Sequence, residues 1–382
     1  MRYEVLASTK PGYELPISKA RTFSGKMAGI CYMPDTIETL FSELEEKSNK
    51  RANGTEKSGH HSVFGHAKYC FAFESVPKIV AMILNNEKEY DTSEKSARYT
   101  KMEPSEEEKV LYEKWIEIFE KEILKLYVEM DEKKAHKLAM ENARYLISVF
   151  TPATTMGYTT SLRQVNYIVH WAKDYVEKAE DTDFSKLLKP VLKEFSEMMG
   201  NYCQKEMTDG KSRTFSLFSN VERKEEWGEN YCCNYFATFA QVAQAQRHRT
   251  ISYEIEVQNV NDAKFFTPPI IKNTELEKEW LKDIKSLAHR YPQGMLVKVN
   301  ERGTVENFVL KCKERLCGCA QLEIAMQTQK TMMKYLQNTK DTNKRVYEYL
   351  LPYSKGARCT FPDYKCSKTC EWGPKKAFER LV

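Results

Sequence analysis

The sequence predicts an α+β protein built as two divergent copies of one unit, each a small antiparallel or mixed sheet with several long helices. Three observations carry this. Amphipathic helical stripes alternate with short runs rich in threonine, valine and aromatic residues. The segment order helix, loop, helix, Arg-Tyr, strand, long helix occurs twice, with Arg144-Tyr145 ahead of one strand and Arg290-Tyr291 ahead of the other. The chain has 382 residues, more than one compact core ordinarily holds. The expected division is a first repeat over 1–200, a second over 201–350 and a Cys-containing tail over 351–382.

Residues 1–25 read as a short strand and turn, followed by a polar, charged stretch to about Gly59. In "VPKIVAMILNN", Val76, Ile79, Val80, Ile83 and Leu84 fall at helical spacing, and the polar run after it reads as a loop. Leu111, Trp115, Phe119, Ile123 and Leu126 make one apolar stripe on a charged helix over 105–130. A helix over Glu132 to Leu146 follows, then the strand-like "VFTPATTMGYTTS" and more helix over about 161–205. In the second half "CCNYFATFAQVAQAQRHR" reads as a helix, with Phe236, Ala240, Ala243 and Arg247 three or four apart. "TISYEIEV" reads as strand or extended loop, "NTELEKEWLKDIKSLAHRY" as helix, "GMLVKVNE" as strand, and "VENFVLKCKERLCGCAQLEIAMQTQKTMMKYLQ" as one long helix.

Composition narrows the function. Hydrophobic residues make 41% and charged residues 30%, and 59 basic side chains against 54 acidic ones leave a net charge of +5 without a long basic block. That balance permits a phosphate-bearing ligand and argues against nucleic acid as a partner. No stretch approaches the roughly 18 apolar residues of a membrane span. The opening "MRYEVLASTKPGYELP" has neither the apolar core nor the cleavage site of a secretory signal, so a cytoplasmic, reduced protein is expected, with its 11 cysteines mostly core thiols.

Chemistry concentrates at "QAQRHR". Arg247, His248 and Arg249 side by side are costly to pack unless an anion faces them. Gln244, Arg247 and His248 stand three and four positions apart, so all three can point to one face of the helix. Alone, such a run is more often a solvated surface patch or helix end; with Gln244 before it and Arg315 in R-x-x-x-x-A-Q-x-E-I after it, a ligand site is the better reading. Metal is not expected: His60, His61 and His66 lack Asp, Glu or Cys partners at ligand spacing, and Cys359, Cys366 and Cys370, spaced C-x6-C-x3-C, form no standard knuckle even with Cys312, Cys317 and Cys319 upstream.

Taken together these motifs resemble the flavin-dependent thymidylate synthases. The first half holds "HHSVFGH" (His60, Ser62, His66), "EKSARY" (Glu94, Ser96, Arg98, Tyr99), Ala143-Arg144 and "SLR" (Arg163). Where the family has R-H-R after its helix, this half has "NNEK". The second half holds "QAQRHR" and "RLCGCAQLEI" (Arg315, Ala320, Gln321, Glu323, Ile324) but has Val257 where the signature serine belongs. The tail "GARCTFPDYKCSKTCEWG" resembles a Cys-rich extension of some members. Gly65 stands in place of a family Glu, Ala97 in place of a frequent Gly, Glu306 in place of the second half's flavin-side Arg, and Ala172 in place of the first half's uracil-side Arg.

The resemblance implies a fused pseudo-dimer whose complementary halves build one composite site, with a homodimer of the chain forming a pseudo-tetramer. It implies a deoxyuridine monophosphate (dUMP) site made of Gln244, Arg247, Arg315, Glu94, Ser96, Ala97, Arg98 and Arg144, guanidinium forks suiting a doubly charged phosphate. It implies flavin adenine dinucleotide (FAD) held by His60, Ser62, Glu94, Arg163, Arg247, His248 and Arg249. Arg315 is the expected catalytic residue, stabilising the uracil anion formed on loss of the N3 proton. NADPH and methylenetetrahydrofolate are the expected co-substrates, and no protein nucleophile is required. Two alternatives stay open: a related dUMP hydroxymethylase, or a non-catalytic relative that binds flavin or nucleotide.

Overall fold

The computed structural model describes residues 2–7, 14–31, 36–96, 100–210, 213–219, 223–367 and 370–382. In chain order the first part comprises β1 (Arg2–Ala7), α1 (Ile17–Gly29), α2 (Ile37–Ser42), α3 (Glu45–Lys57), β2 (Lys68–Val76), α4 (Lys78–Asn86) and β3 (Tyr90–Glu94). There follow α5 (Glu106–Leu126), α6 (Glu132–Ala143), β4 (Thr154–Ser161), α7 (Leu162–Lys178) and α8 (Asp183–Met198). The second part comprises β5 (Glu226–Trp227), β6 (Asn230–Thr238), α9 (Phe239–Ala245), β7 (Ser252–Glu256), α10 (Glu275–Ser286) and β8 (Leu296–Thr304). It ends with α11 (Val305–Arg315), α12 (Leu322–Thr339), α13 (Lys344–Leu350) and α14 (Gly373–Lys376). The class is α+β. Among the described residues no helix is long and apolar enough to cross a membrane.

Two compact units divide the chain, one of Met1–Lys95 with Phe150–Ser216 and one of Ser96–Val149 with Leu217–Val382. Each contains a four-stranded antiparallel sheet, in the order β1-β2-β4-β3 in the first and β5-β6-β8-β7 in the second.

In the first unit β2 alternates between core and edge, burying Tyr69, Phe71 and Phe73. Tyr202 meets Tyr69 and Phe71 edge-on at 5.1 and 5.2 Å, while Tyr90 of β3 stacks on Tyr158 of β4 at 5.4 Å. Nearly every residue of α4 is buried, as its all-round apolar sequence requires. Where α1 crosses α3 the contact is backbone against backbone: a Cβ built on Gly25 would lie 1.9 Å from the Ser48 carbonyl oxygen, so only glycine fits there.

The second unit receives the α5–α6 hairpin. Trp115 and Phe119 of the predicted stripe are fully buried and meet Trp280 of α10 edge-on at 4.9 and 5.4 Å, and Trp115 Nε1 donates to Asp283 Oδ2 at 2.8 Å. Leu126, at the end of that stripe, is 48% exposed. The two Arg-Tyr segments lie side by side: Gly294 N donates to Tyr145 O, Gln293 N to Ile147 O and Val149 N to Tyr291 O, all within 3.0 Å, around an antiparallel bridge between Ser148 and Pro292.

Five local expectations are corrected. The stretch 26–59 contains the helices α2 and α3 and the end of α1, and the loop after α4 contains β3. "CCNYFAT" is strand, not helix, because all nine residues of β6 pair in register with β8. The long helix over 305–337 is two, broken at the Leu316–Gln321 turn that carries Gly318. Because α9 ends at Ala245, Arg247 and His248 sit on the turn after it and share no helical face with Gln244.

Candidate functional site

The polar centre of the second unit is a buried carboxylate. Thr238 ends β6 and caps α9, its Oγ1 accepting from Gln241 N at 3.0 Å. Its backbone N–H and its hydroxyl both donate to Glu323, at 3.0 and 2.7 Å, and the Tyr145 hydroxyl donates to Glu323 Oε2 at 2.9 Å. Burial raises the Glu323 carboxyl above its ordinary range, opposed by the Thr238 and Tyr145 hydrogen bonds and by the charge of Arg144. From Tyr145 the network continues through Gln321 Nε2 at 2.6 Å, whose Oε1 accepts from Gln244 Nε2 at 2.5 Å.

Around this chain stand buried polar atoms that have no hydrogen-bond partner among the described residues: Nε and Nη2 of Arg144, Oε1 of Gln244, and both amide atoms of Gln241. Arg144 is 6% exposed, with its guanidinium 5.8 Å from the centre of the Tyr145 ring. Buried guanidinium N–H groups are almost always paired, so two unpartnered ones mark a place for an anion or ordered water. Arg290, its counterpart in the other Arg-Tyr pair, forms ion pairs with Glu107 at 2.5 Å and Glu108 at 3.5 Å, although its Nε too has no hydrogen bond among the described residues.

Arg315, the last residue of α11, donates from Nε to His248 Nε2 at 2.8 Å and from Nη2 to the Gln244 carbonyl at 3.2 Å. His248 must therefore present a bare Nε2. Burial, then the charges of Arg315 and Lys311, hold its pKa down to about 2. The fold thus refuses a proton that the unfolded chain accepts near pH 6.5, so the stability tied to neutral His248 is present above that pH and is lost as pH falls below it, by about 1.4 kcal/mol per unit. A His248→Gln variant is expected to show a shallower acid slope than the wild type between pH 6 and 4 in urea unfolding; parallel slopes would refute a neutral, half-buried imidazole. Arg247 and Arg249 are exposed on the same turn.

Beside that turn a cavity of about 610 Å³ opens over the second sheet, lined by Arg223, Thr250, Ser252, Arg302 and Asn307 among others. Glu254 accepts from both arginines, at 3.2 and 2.7 Å, and offsets their charge.

In the first unit the 3₁₀ turn His61–Gly65 sits on α7. His61 is buried, bonded to the Tyr167 hydroxyl and the Glu56 carbonyl at 2.9 Å each, whereas His60, Ser62 and His66 are exposed. Arg163 pairs with Glu89, leaves its Nε buried without a hydrogen bond, and lies 3.9 Å from a Cβ built on Gly65. Glu94 accepts from Lys78 at 2.5 Å and from Thr154 and Asn85 at 3.3 and 3.4 Å. At the position of the missing R-H-R, Asn86 donates to Ser216 Oγ at 2.7 Å and buried Glu87 accepts from Arg213 and the Ser216 amide.

Ser96 belongs to the second unit and its carbonyl accepts from Thr100 N. Ala97 and Arg98 lie outside the described residues. Of the tail cysteines, Cys359 and Cys366 are exposed and Cys370 is half-buried; among the described residues no three His, Cys, Asp or Glu side chains are arranged to hold a metal ion. In the sequence Gln321 and Glu323 stand only as letters of the R-x-x-x-x-A-Q-x-E-I motif, Gln241 carries no signal, and nothing local shows that the first two meet Tyr145.

Residues 18–196 match the model of the family described as thymidylate synthase complementing protein. A protein of Clostridium tetani (strain Massachusetts / E88) named flavin-dependent thymidylate synthase is 28% identical over 142 residues, covering 31% of this chain and 56% of the relative. The chain therefore spans little more than half of the curated relative it matches. The R-H-R turn and the Arg315–Glu323 motif lie beyond the matched family span.

Proposed function

We propose that this protein is a flavin-dependent thymidylate synthase that methylates dUMP reductively, with methylenetetrahydrofolate as carbon donor and NADPH as reductant. The observation that carries this reading is the buried Arg144 guanidinium with two unpartnered N–H groups, next to an amide chain ending at Gln244. A phosphate dianion suits such a fork. Gln244, Arg247, Arg315 and Arg144, with Ser96, Ala97, Arg98 and Glu94, would hold dUMP. Arg315, anchored on His248 and the Gln244 carbonyl, would stabilise negative charge developing on the pyrimidine.

His60, Ser62, Glu94, Arg163, Arg247, His248 and Arg249 would hold FAD. The buried, unbonded Nε of Arg163 and the bare backbone of Gly65 facing it suit a polar cofactor edge. Bound flavin would supply hydride transfer, and the protein would bind, orient and polarise. The matching strand orders and the apposed Arg-Tyr segments support two repeats of one ancestral unit within the chain. A homodimer is the assembly proposed.

Purified protein should show flavin absorbance with FAD, and should release tritium from [5-³H]dUMP only with methylenetetrahydrofolate and NADPH present. Colourless protein that ignores FAD would sink the proposal. Flavin and dUMP binding without turnover would favour the non-catalytic relative, for which the loss of a carboxylate at Gly65 and of R-H-R at residues 85–88 speaks. Product mass separates methyl from hydroxymethyl transfer.

A further inference from the structure

We infer that Glu323 and Tyr145 are positioning residues that lock the Gln244 amide with its oxygen outward, so that Gln244 reads a hydrogen-bond donor on the ligand. The locking stands on the geometry alone; the naming of the ligand as dUMP rests on the function proposed above.

An amide side chain is ambiguous by itself, donor at one end and acceptor at the other, and turning it over exchanges the two. Here each link decides the next. The Thr238 hydroxyl already accepts from Gln241 N, so its own proton goes to Glu323 Oε2 at 2.7 Å. Three donors, the Thr238 amide and hydroxyl and the Tyr145 hydroxyl, converge on the Glu323 carboxyl, as on an acceptor-only carboxylate. Tyr145 has one proton and gives it to Glu323, so it must accept from Gln321. That turns Gln321 Nε2 to Tyr145 at 2.6 Å and its oxygen to Gln244. Gln244 can then meet Gln321 only through Nε2, at 2.5 Å, and its oxygen is left buried with no partner among the described residues.

An acceptor held fixed without a partner discriminates strongly, because a ligand lacking the matching donor leaves it unsatisfied. On a deoxyuridine nucleotide two groups qualify, the base N3–H and the 3′-hydroxyl. An N3-methyl base removes the first, and a 2′,3′-dideoxy sugar removes the second.

The test compares full-length wild type with Tyr145→Phe and with the isosteric Glu323→Gln. Dissociation constants are measured for dUMP, N3-methyl-dUMP and 2′,3′-dideoxyuridine monophosphate. Wild type is expected to bind one analogue about tenfold more weakly than dUMP, identifying the donor, and the ratio should shrink to within about threefold in both variants. A second measurement needs no ligand. In protein labelled with [¹⁵N]glutamine, the Gln244 and Gln321 amide protons should be protected from solvent exchange in wild type and lose protection in Tyr145→Phe. Equal binding of dUMP and both analogues by wild type, unchanged ratios in folded variants, or unprotected amides in wild type overturns the inference. Protected amides in a wild type that fails to bind dUMP leave the locking intact and refute the nucleotide reading instead.

Discussion

Arg144→Met should weaken dUMP binding by at least about 100-fold while leaving the protein as stable as the wild type or more so. Two charge-assisted hydrogen bonds to phosphate contribute roughly 1.5–3 kcal/mol each, which sets the binding loss. The stability half follows from the same side chain. Its Nε and Nη2 are buried without partners, an arrangement that opposes folding when no anion is bound. A methionine of similar reach removes those N–H groups and keeps the packing on Tyr145, at the loss of a cation–π contact worth about 0.5–1 kcal/mol. Groups kept at a binding site against the interest of the fold behave this way. Equilibrium binding and urea unfolding on the same preparations decide it. A variant that loses more than about 2 kcal/mol of stability yet binds dUMP normally would make Arg144 a structural residue, comparable to Arg290.

Lys311→Met should have the largest effect on stability, a loss of about 3–5 kcal/mol. Lys311 and Glu301 are both fully buried, 2.6 Å apart, and Glu301 also accepts from the Tyr231 and Tyr235 hydroxyls at 2.8 and 2.5 Å. Removing the lysine leaves a carboxylate in the interior with only two phenols to face. Adding Glu301→Gln takes away the stranded charge while keeping an acceptor for the phenols, so the double variant should recover most of the loss. If Lys311→Met alone costs under about 1 kcal/mol, the pair is not holding the sheet against α11. Since the Lys311 charge also helps to keep His248 neutral, the single variant should carry a higher His248 pKa, visible in the imidazole resonances.

Much of the architecture was legible because it rests on local periodicity. The stripe through Trp115, Phe119 and Ile123 is core, and α4 is buried where its apolar spacing put it. The errors share one cause. "CCNYFATFAQ" offers apolar side chains at helical spacing, and what makes its first part a strand is pairing with β8, some 65 residues further along. Neither α1 nor α3 has a strong apolar stripe. They are helices because they cross closely enough for Gly25 to meet Ser48, a contact invisible in either segment alone.

The chemistry divides in the same way. Taken alone, the sequence determined which side chains were available: two Arg-Tyr pairs, an R-H-R run and an "AQLEI" helix start, in an order that resembles a known family. Only the tertiary structure decided which of these groups would be left wanting a partner. The two arginines are chemically identical and each precedes a tyrosine, yet Arg290 meets carboxylates from the start of α5 while Arg144 keeps two bare N–H groups. A hydrogen bond needs its two atoms within about 3 Å, and the carboxylates that form ion pairs with one arginine and not the other lie far away along the chain, brought into reach only by folding.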